Sequence, residues 1–208
     1  VHIEGIRHVS AQDIAFADEL GFRIKLLGIA RRTVDGIEQR VHPCMVRLNS
    51  PIAHVEGVYN AVVADGEFVG TCVFEGRGAG AGPTASAVVA DLVDIARGAR
   101  LPAFALPTSE LPPSCTMPMD EHYGAYYVRL MVVDRPGVIA DVSAVLRDEQ
   151  VSMESMLQRG RAPGEPVPVV ITTHETREAS MARALSRIGE LGSIVEPPRM
   201  IRIESLER

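Results

Sequence analysis

After residue 122, strand-like and helical patterns alternate, and this alternation constrains the fold more than any other feature of the sequence. The strand-like runs are rich in β-branched residues, whereas the helical runs repeat apolar residues every three to four positions. We expect strands at 125–133, 151–158, 167–173 and 194–203, and helices at 138–149 and 178–191. Two βαβ halves of similar length predict a ferredoxin-like βαββαβ fold of the α+β class, with a four-stranded antiparallel sheet.

Side-chain spacing assigns an inner face to the first strand and the first helix of this region. Val128, Leu130 and Val132 share one face of the strand. The helix turns four apolar side chains inward, namely Val138, Val142, Val145 and Leu146. Both helices are expected on one face of the sheet. The opposite face is therefore expected to pack against a partner, because an apolar sheet face is not left in water.

The region before residue 106 is predicted to be rich in antiparallel sheet. Ser10 and Asp13 have the spacing of a capping box, which predicts a helix that ends near Gly21. Strands are expected at 22–30, 38–48, 60–64 and 67–75, with Asp-Gly turns at 35–36 and 65–66. Pro83 is suited to the first turn of a helix over 85–97.

Residues 106–122 contain four prolines and little periodicity, which predicts a linker. The expected domains are therefore 1–105 and 123–208. The latter includes a polar loop at 160–164. A chain that opens at Val1 with mid-domain sequence is expected to be part of a longer protein.

Bulk composition excludes several classes of function. A net charge of −6 and a pI near 5.5 argue against a nucleic-acid-binding protein, which needs a basic face. No apolar run is long enough to cross a bilayer, so no membrane role is expected. The three cysteines Cys44, Cys72 and Cys115 are widely spaced, as is typical of reduced thiols in the cytoplasm.

Few side chains suggest chemistry by themselves. His42 and Cys44 are close enough in sequence to share a metal ion, but no further ligand follows at zinc-site spacing, so no metal site is predicted. Lys25 is the single lysine among 21 basic residues. We expect it to be an ordinary strand residue, and no catalytic residue is assigned.

Two stretches of the first region, Glu4–Ala30 and Gly78–Leu92, resemble the homoserine dehydrogenase family, and the segment 60–62 lies between them as in that family. The later stretch 133–140, Val-Asp-Arg-Pro-Gly-Val-Ile-Ala, resembles an ACT domain. The resemblance implies that 1–105 is the C-terminal part of a catalytic and dimerisation domain. It likewise implies that 123–208 is an ACT regulatory domain.

The resemblance also implies an activity for the parent protein. The family transfers a hydride between NAD(P) and L-homoserine or L-aspartate 4-semialdehyde, on the route to threonine and methionine. Its nucleotide-binding half and its catalytic lysine lie upstream of the matched stretches, so this chain alone is expected to be inactive and to bind no cofactor. Gly80 matches a glycine that approaches NAD(P) in the intact enzyme, although a purely structural hinge is the alternative.

In ACT domains the loop that follows the first strand binds an amino-acid effector, which here would be L-threonine. The backbone N–H groups at the start of the next helix could receive its carboxylate, and Asp134 could pair with its ammonium group. These N–H groups belong to Gly137, Val138, Ile139 and Ala140. The alternative is a tight turn in which Asp134 caps the helix.

Three functions therefore compete. The first is a piece of homoserine dehydrogenase with a threonine-sensing domain, assembled as a homo-oligomer through the sheet-rich region and the ACT region. The second is a non-catalytic oligomerisation module. The third is a stand-alone amino-acid-binding ACT protein, which the stretch Glu4–Ala30 disfavours.

Overall fold

The computed structural model describes residues 1–99, 106–111, 113, 115–159 and 164–205. The chain forms two compact units, one made of Val1–Leu48 and Cys115–Arg208 and the other of Asn49–Ser114. Most of the polar loop predicted at 160–164 lies outside the described residues. Within the described ranges, no helix has the length and apolarity of a membrane span.

The helices and strands follow the predicted order along the chain. In the N-terminal half they are β1 (His2–Ile3), α1 (Ala11–Glu19), β2 (Phe22–Arg32), β3 (Ile37–Arg47), β4 (Tyr59–Gly66), β5 (Gly70–Arg77) and α2 (Ala81–Ala96). In the C-terminal half they are β6 (Tyr123–Val133), α3 (Val138–Asp148), β7 (Met153–Gln158), β8 (Pro166–Thr173), β9 (Thr176–Arg177), α4 (Glu178–Gly189) and β10 (Arg199–Glu204). Short 3-10 turns lie at Ile6–His8, Pro51–His54, Thr108–Glu110 and Met119–Glu121.

The C-terminal half confirms the ferredoxin-like prediction. Its four long strands lie in the order β10-β6-β8-β7, and every neighbouring pair is antiparallel. The helices α3 and α4 pack on one face of this sheet through a single apolar core. The four residues of α3 that were predicted to point inward are its buried residues. The core side chains include Val128, Leu130 and Val132 of β6, and Met181, Ala184 and Ile188 of α4.

The sheet continues beyond β10 into the N-terminal part of the chain. β3 runs parallel to β10, with Cys44 opposite Arg202 and Val46 opposite Glu204. On the same side of β3 the short strand β1 also pairs in parallel, and on its other side β2 pairs along its whole length. The result is one eight-stranded sheet.

The compact units therefore do not coincide with the predicted ranges 1–105 and 123–208. Backbone hydrogen bonds between β3 and β10 place residues 1–48 in the same unit as the βαββαβ fold, and only Asn49–Ser114 stands apart. A pairing between strands so far apart in sequence leaves no local pattern by which it could be predicted. The division into family domains at those boundaries stays a prediction.

Helix α1 covers the sheet face that was expected to need a partner. Phe16 and Ala17 pack in one buried cluster with Tyr127, Val170 and Ile201, whose side chains lie on the face opposite α3 and α4. The capping box predicted at the start of α1 is present, because Ser10 and Asp13 exchange hydrogen bonds. The expectation that this face packs against a partner is thus wrong at this cluster, since a helix of the same chain covers it.

The C-terminal end of the predicted linker is hydrogen-bonded to the start of β3. The carbonyl of Cys115 accepts a hydrogen bond from the N–H of Ile37 at 2.8 Å, and the N–H of Met117 donates to the carbonyl of Ile37 at 3.0 Å. Gly36 permits this approach, because a Cβ there would lie 2.5 Å from the Cys115 oxygen and because its φ is +146°. Residues 112 and 114 of the linker lie outside the described residues.

The second unit contains the β4–β5 hairpin and α2. Its turn is not at Asp65-Gly66 as predicted, because β4 extends through Gly66, which pairs with Gly70. The connection is instead a three-residue loop followed by Gly70 at φ +71°, a conformation that favours glycine. α2 starts at Ala81, four residues before the predicted start.

Candidate functional site

The predicted effector loop lies at the end of β6, where the chain turns into α3. Gly137 is the N-cap of α3 and has a left-handed conformation with φ +94°. The first helical backbone bond runs from the N–H of Asp141 to the carbonyl of Gly137 at 3.0 Å. The N–H groups of Val138, Ile139 and Ala140 therefore have no acceptor within the helix and point toward its N-terminal end. This arrangement can bind a carboxylate.

Asp134 is not the N-cap residue of α3, and the choice between effector binding and a capping contact from its side chain stays a prediction. The N-cap residue is Gly137, which has no side chain to make a capping hydrogen bond. The backbone of Asp134 instead pairs with the start of β8, because its N–H donates to Glu165 at 3.0 Å and its carbonyl accepts from Gly164 at 3.1 Å. Asp134 itself is half-buried. Four of the five predicted effector residues, 137–140, thus form the N-terminal end of α3, and Asp134 lies three residues before them in sequence.

The predicted cofactor glycine lies in the second unit, at the start of α2. Gly80 is the N-cap of α2 with φ +114° and ψ 153°, and its carbonyl accepts from the N–H of Thr84 at 3.2 Å. Two stretches quoted for the family resemblance also meet in this unit. The N–H of Gly78 donates to the carbonyl of Val58, and the side-chain amide of Asn60 occupies the space where a Cβ on Gly78 would lie, 1.7 Å away.

A buried polar network in the first unit was not foreseen from the sequence. At its centre Arg202 donates to both oxygens of Glu4, at 3.0 and 2.9 Å, and to both oxygens of Glu178. Tyr126 donates its hydroxyl proton to Glu178 at 2.9 Å. Burial by itself would raise the pKa of Glu4, but the hydrogen bonds and charge of Arg202 outweigh it and lower that pKa to about 2.

A second arginine continues the network into β3. Arg40 is 1% exposed and donates to both oxygens of Glu204 at 2.9 Å, and it also pairs with Glu38. His122 contacts Glu38 through Nδ1 at 3.2 Å. This part of the network borders two clefts of about 330 and 270 Å³. Glu38 and Arg40 line the first cleft, and Glu204 lines the second.

His42 and Cys44 follow Arg40 on the same face of β3 and are completely buried. One nitrogen of His42, Nδ1, lies 3.1 Å from the carbonyl of Pro43 and 3.3 Å from Sγ of Cys44. The other nitrogen, Nε2, lies 4.0 Å from Oε1 of Glu204 and has no hydrogen-bond partner. Glu204 joins His42 and Cys44 as a third candidate metal ligand. Sequence spacing did not reveal it, because it lies near the other end of the chain.

A third buried cluster joins α1 to the sheet. Asp13 is 1% exposed and accepts hydrogen bonds from Nε of Arg129 at 2.7 Å and from the hydroxyl of Tyr127 at 3.0 Å. It also accepts from the backbone and the hydroxyl of Ser10. Burial alone would raise the pKa of Asp13, but Arg129 and Ser10 outweigh it and hold that pKa below its ordinary value.

The sequence does contain one signal for these buried groups. Glu38, Arg40, His42 and Cys44 alternate along β3, so a strand with period two must place them on one face. Because charged side chains are seldom buried without a partner, such a face is ordinarily assigned to solvent. Lys25 lies half-buried in β2, opposite Cys44 in the strand register.

Comparison with known proteins assigns the fold to a family. The sequence model of homoserine dehydrogenase matches residues 1–93, and that of the ACT domain matches residues 126–192. A homoserine dehydrogenase of Neisseria gonorrhoeae is 42% identical over 211 residues, covering 99% of this chain and 48% of that protein. The chain belongs to the homoserine dehydrogenase family.

Two further homoserine dehydrogenases agree with this assignment. The enzyme of Helicobacter pylori is 39% identical over 98% of the chain and 48% of its own length. A crystal structure of the enzyme of Thiobacillus denitrificans superimposes with a TM-score of 0.88 at 42% identity, covering 98% of this chain and 47% of that one. The chain thus spans about half the length of the homoserine dehydrogenases that it matches.

Proposed function

We propose that this chain is the C-terminal part of a homoserine dehydrogenase whose intact form interconverts L-homoserine and L-aspartate 4-semialdehyde with NAD(P). The observation that carries the proposal is the 42% identity across 99% of the chain to a homoserine dehydrogenase of which it spans 48%. The superposition with the Thiobacillus denitrificans enzyme at a TM-score of 0.88 supports it. The parent enzyme is proposed to work in the cytoplasm, in keeping with three cysteines that form no disulfide.

The chain alone is proposed to lack activity and to bind no NAD(P). The glycine-rich segment that ends at Gly80 connects an antiparallel hairpin to α2, whereas a nucleotide-binding glycine loop connects a parallel strand to its helix. Gly80 nevertheless presents the N-terminal end of α2 at an exposed position. In the intact enzyme this end would lie against a phosphate of the cofactor.

An assay of the purified chain tests this part of the proposal. We expect no NAD(P)H from L-homoserine with either NAD or NADP, while a full-length homoserine dehydrogenase under the same conditions supplies the positive control. Measurable turnover by the chain would contradict the proposal that it lacks dehydrogenase activity by itself. In the full-length parent, Gly80→Ala is expected to raise the KM for NAD(P), with Gly82→Ala as the matched control in the first turn of α2, where a Cβ meets nothing within 4 Å.

The ACT region is proposed to bind L-threonine at the N-terminus of α3. The N–H groups of Val138, Ile139 and Ala140, which have no acceptor within the helix, are proposed to form the carboxylate site. Asp134 is half-buried and lies three residues before Gly137, and its carboxylate is proposed to pair with the ammonium group. The effector regulates activity only by the difference in its affinity for two arrangements of the enzyme.

Calorimetric titration with L-threonine tests the sensor, with L-homoserine, L-methionine and L-isoleucine as competitors. We expect saturable heat with threonine that is lost in Asp134→Ala and retained in Asp35→Ala, which removes an exposed carboxylate in the β2–β3 turn. Absence of heat from the folded wild-type chain would contradict threonine sensing but would leave the assignment to the dehydrogenase untouched.

A specific surface favours assembly as a second candidate function. In the second unit, α2 and the β4–β5 hairpin leave many large apolar side chains exposed, among them Val62, Phe74, Val88, Val89, Leu92 and Ile95. Such a surface is typical of a protein interface. Sedimentation velocity of the chain across a range of concentrations is expected to show a homo-oligomer, and Val89→Glu with Leu92→Glu is expected to weaken it. A monomer at all concentrations would contradict assembly through this unit.

A further inference from the structure

The cluster of His42, Cys44 and Glu204 has the composition of a metal site rather than of an ordinary core. All three residues are at most 4% exposed, and the ligand atoms that they offer lie within 4.8 Å of one another. Imidazole, thiolate and carboxylate are the three side-chain ligands of protein-bound zinc. The three residues come from two strands, β3 and β10, which are held together by backbone hydrogen bonds at Cys44 and Glu204.

His42 supplies an independent observation that points to a bound cation. Its Nδ1 lies 3.1 Å from the carbonyl of Pro43, an acceptor only, so the proton of a neutral ring belongs on Nδ1. Nε2 then carries a bare lone pair, is buried, has no donor, and lies 4.0 Å from a carboxylate oxygen of Glu204. A buried nitrogen acceptor without a donor is unfavourable unless a cation or another donor reaches it.

The hydrogen bond to Pro43 is also the outer contact that metal-bound histidines commonly make. A ligating imidazole usually donates its second N–H to a carbonyl or carboxylate, which fixes the tautomer and orients the ring. His42 has this contact through Nδ1, and it leaves Nε2 as the ligand.

The charges around the cluster also favour a cation. Carboxylates outnumber guanidinium groups by one in the connected network, which consists of Glu4, Glu38, Glu178 and Glu204 with Arg31, Arg40 and Arg202. Deprotonation of Cys44 on metal binding would add a second negative charge. A divalent ion would neutralise both, whereas an anion would find no excess of positive charge.

We propose that His42 Nε2, Cys44 Sγ and Glu204 together bind a divalent cation of the zinc class. A metal–sulfur bond replaces the S–H bond of Cys44, and the thiol proton leaves to solvent. Zinc bond lengths near 2.0–2.3 Å place tetrahedral ligand atoms about 3.3–3.8 Å apart, so separations of up to 4.8 Å must shorten by up to about 1.5 Å on binding.

The three cysteines of the chain provide a test with matched controls. Co²⁺ is added to the tag-free, reduced chain, and the thiolate-to-cobalt charge-transfer absorption is followed to saturation, then displaced with Zn²⁺. We expect one ion per chain, loss of the band in Cys44→Ser, and its retention in Cys72→Ser and Cys115→Ser, which alter a half-buried and an exposed cysteine. No band in the wild-type chain, or a band that survives Cys44→Ser, would overturn the proposal.

A measurement on the wild-type chain keeps the test independent of how well the variants fold. X-ray absorption at the zinc edge of the loaded chain is expected to show one sulfur neighbour near 2.3 Å, together with nitrogen and oxygen neighbours that include the outer-ring signature of one imidazole. A shell of nitrogen and oxygen alone would mean that the ion lies elsewhere. Either result leaves the dehydrogenase assignment and the threonine site unaffected.

Discussion

The guanidinium of Arg40 donates to both carboxylate oxygens of Glu204 at 2.9 Å, although the two residues lie 164 positions apart. Arg40 belongs to β3 and Glu204 to the last strand of the ACT region, so this pair crosses the parallel junction of the two strands. Both side chains are buried. Each supplies the counter-charge without which the other would be an unpaired charge in the protein interior.

Removal of Arg40 is therefore expected to destabilise the first unit strongly. Arg40→Met leaves Glu204 and Glu38 buried without their main partner, and we expect a loss of about 3–5 kcal/mol in the free energy of unfolding. Urea denaturation measures it. The control is Arg177→Ala, which breaks an exposed pair with Glu121 and is expected to cost less than about 1 kcal/mol. Equal effects of the two variants would contradict a structural role for the buried pair.

Asp13 is expected to give the protein part of its sensitivity to acid. Because Arg129 and Ser10 lower its pKa in the folded state despite burial, the unfolded chain binds this proton more tightly. The stabilisation is present above the ordinary value of 3.8 and is lost as the pH falls through the lower folded pKa. The unfolding free energy of Asp13→Asn, measured from pH 6 downward, should depend less steeply on pH below about 4 than that of wild type. Parallel curves would contradict the linkage.

Gly137 and Gly192 form a matched pair for testing backbone strain at the effector loop. A Cβ would meet nothing within 4 Å at either position, but only Gly137 has a positive φ, at +94°. Gly137→Ala is expected to cost about 1–2 kcal/mol, which for a chain of this size lowers Tm by a few degrees. Gly192→Ala should leave Tm nearly unchanged. An equal loss in both would show that the left-handed turn is not needed.

Asn60 and Gly78 are expected to be energetically coupled in the second unit. Gly78→Ala places a Cβ 1.7 Å from the Asn60 amide nitrogen, so that side chain must leave its contact with the carbonyl of Val58. We expect a cost of about 1–3 kcal/mol for Gly78→Ala, and a much smaller additional cost of that change in an Asn60→Ala background. A double-mutant cycle by thermal unfolding measures the coupling. Additive effects would contradict the contact.

The βαββαβ fold could be predicted because its patterns are local. Val128, Leu130 and Val132 alternate with period two, the buried positions of α3 follow a helical repeat, and the turn at Pro136-Gly137 separates them. The capping box at Ser10 was equally visible. Each of these signals lies within a few residues of the element that it specifies.

The buried network and the β3–β10 junction could not be predicted in the same way. Arg40 and Glu204 compensate each other only after the two ends of the chain have met, and each alone has the composition of a solvent-facing strand. The predicted position of the β4–β5 turn was also wrong, by a few residues. Asp65-Gly66 has the usual turn composition, but Gly70 takes the positive φ and moves the turn to the residues before it.

The parallel junction between β3 and β10 limits how freely the ACT region can be exchanged between proteins. In the ACT sheet taken alone, β10 would be an edge strand with unpaired backbone groups, and Arg202 and Glu204 would lose Glu4 and Arg40. An ACT region cut at residue 123 and fused to another enzyme would therefore carry an open strand edge, which favours aggregation, and two charged side chains without these partners. A fusion that keeps this edge paired must therefore include residues 1–48 as well as the ACT region.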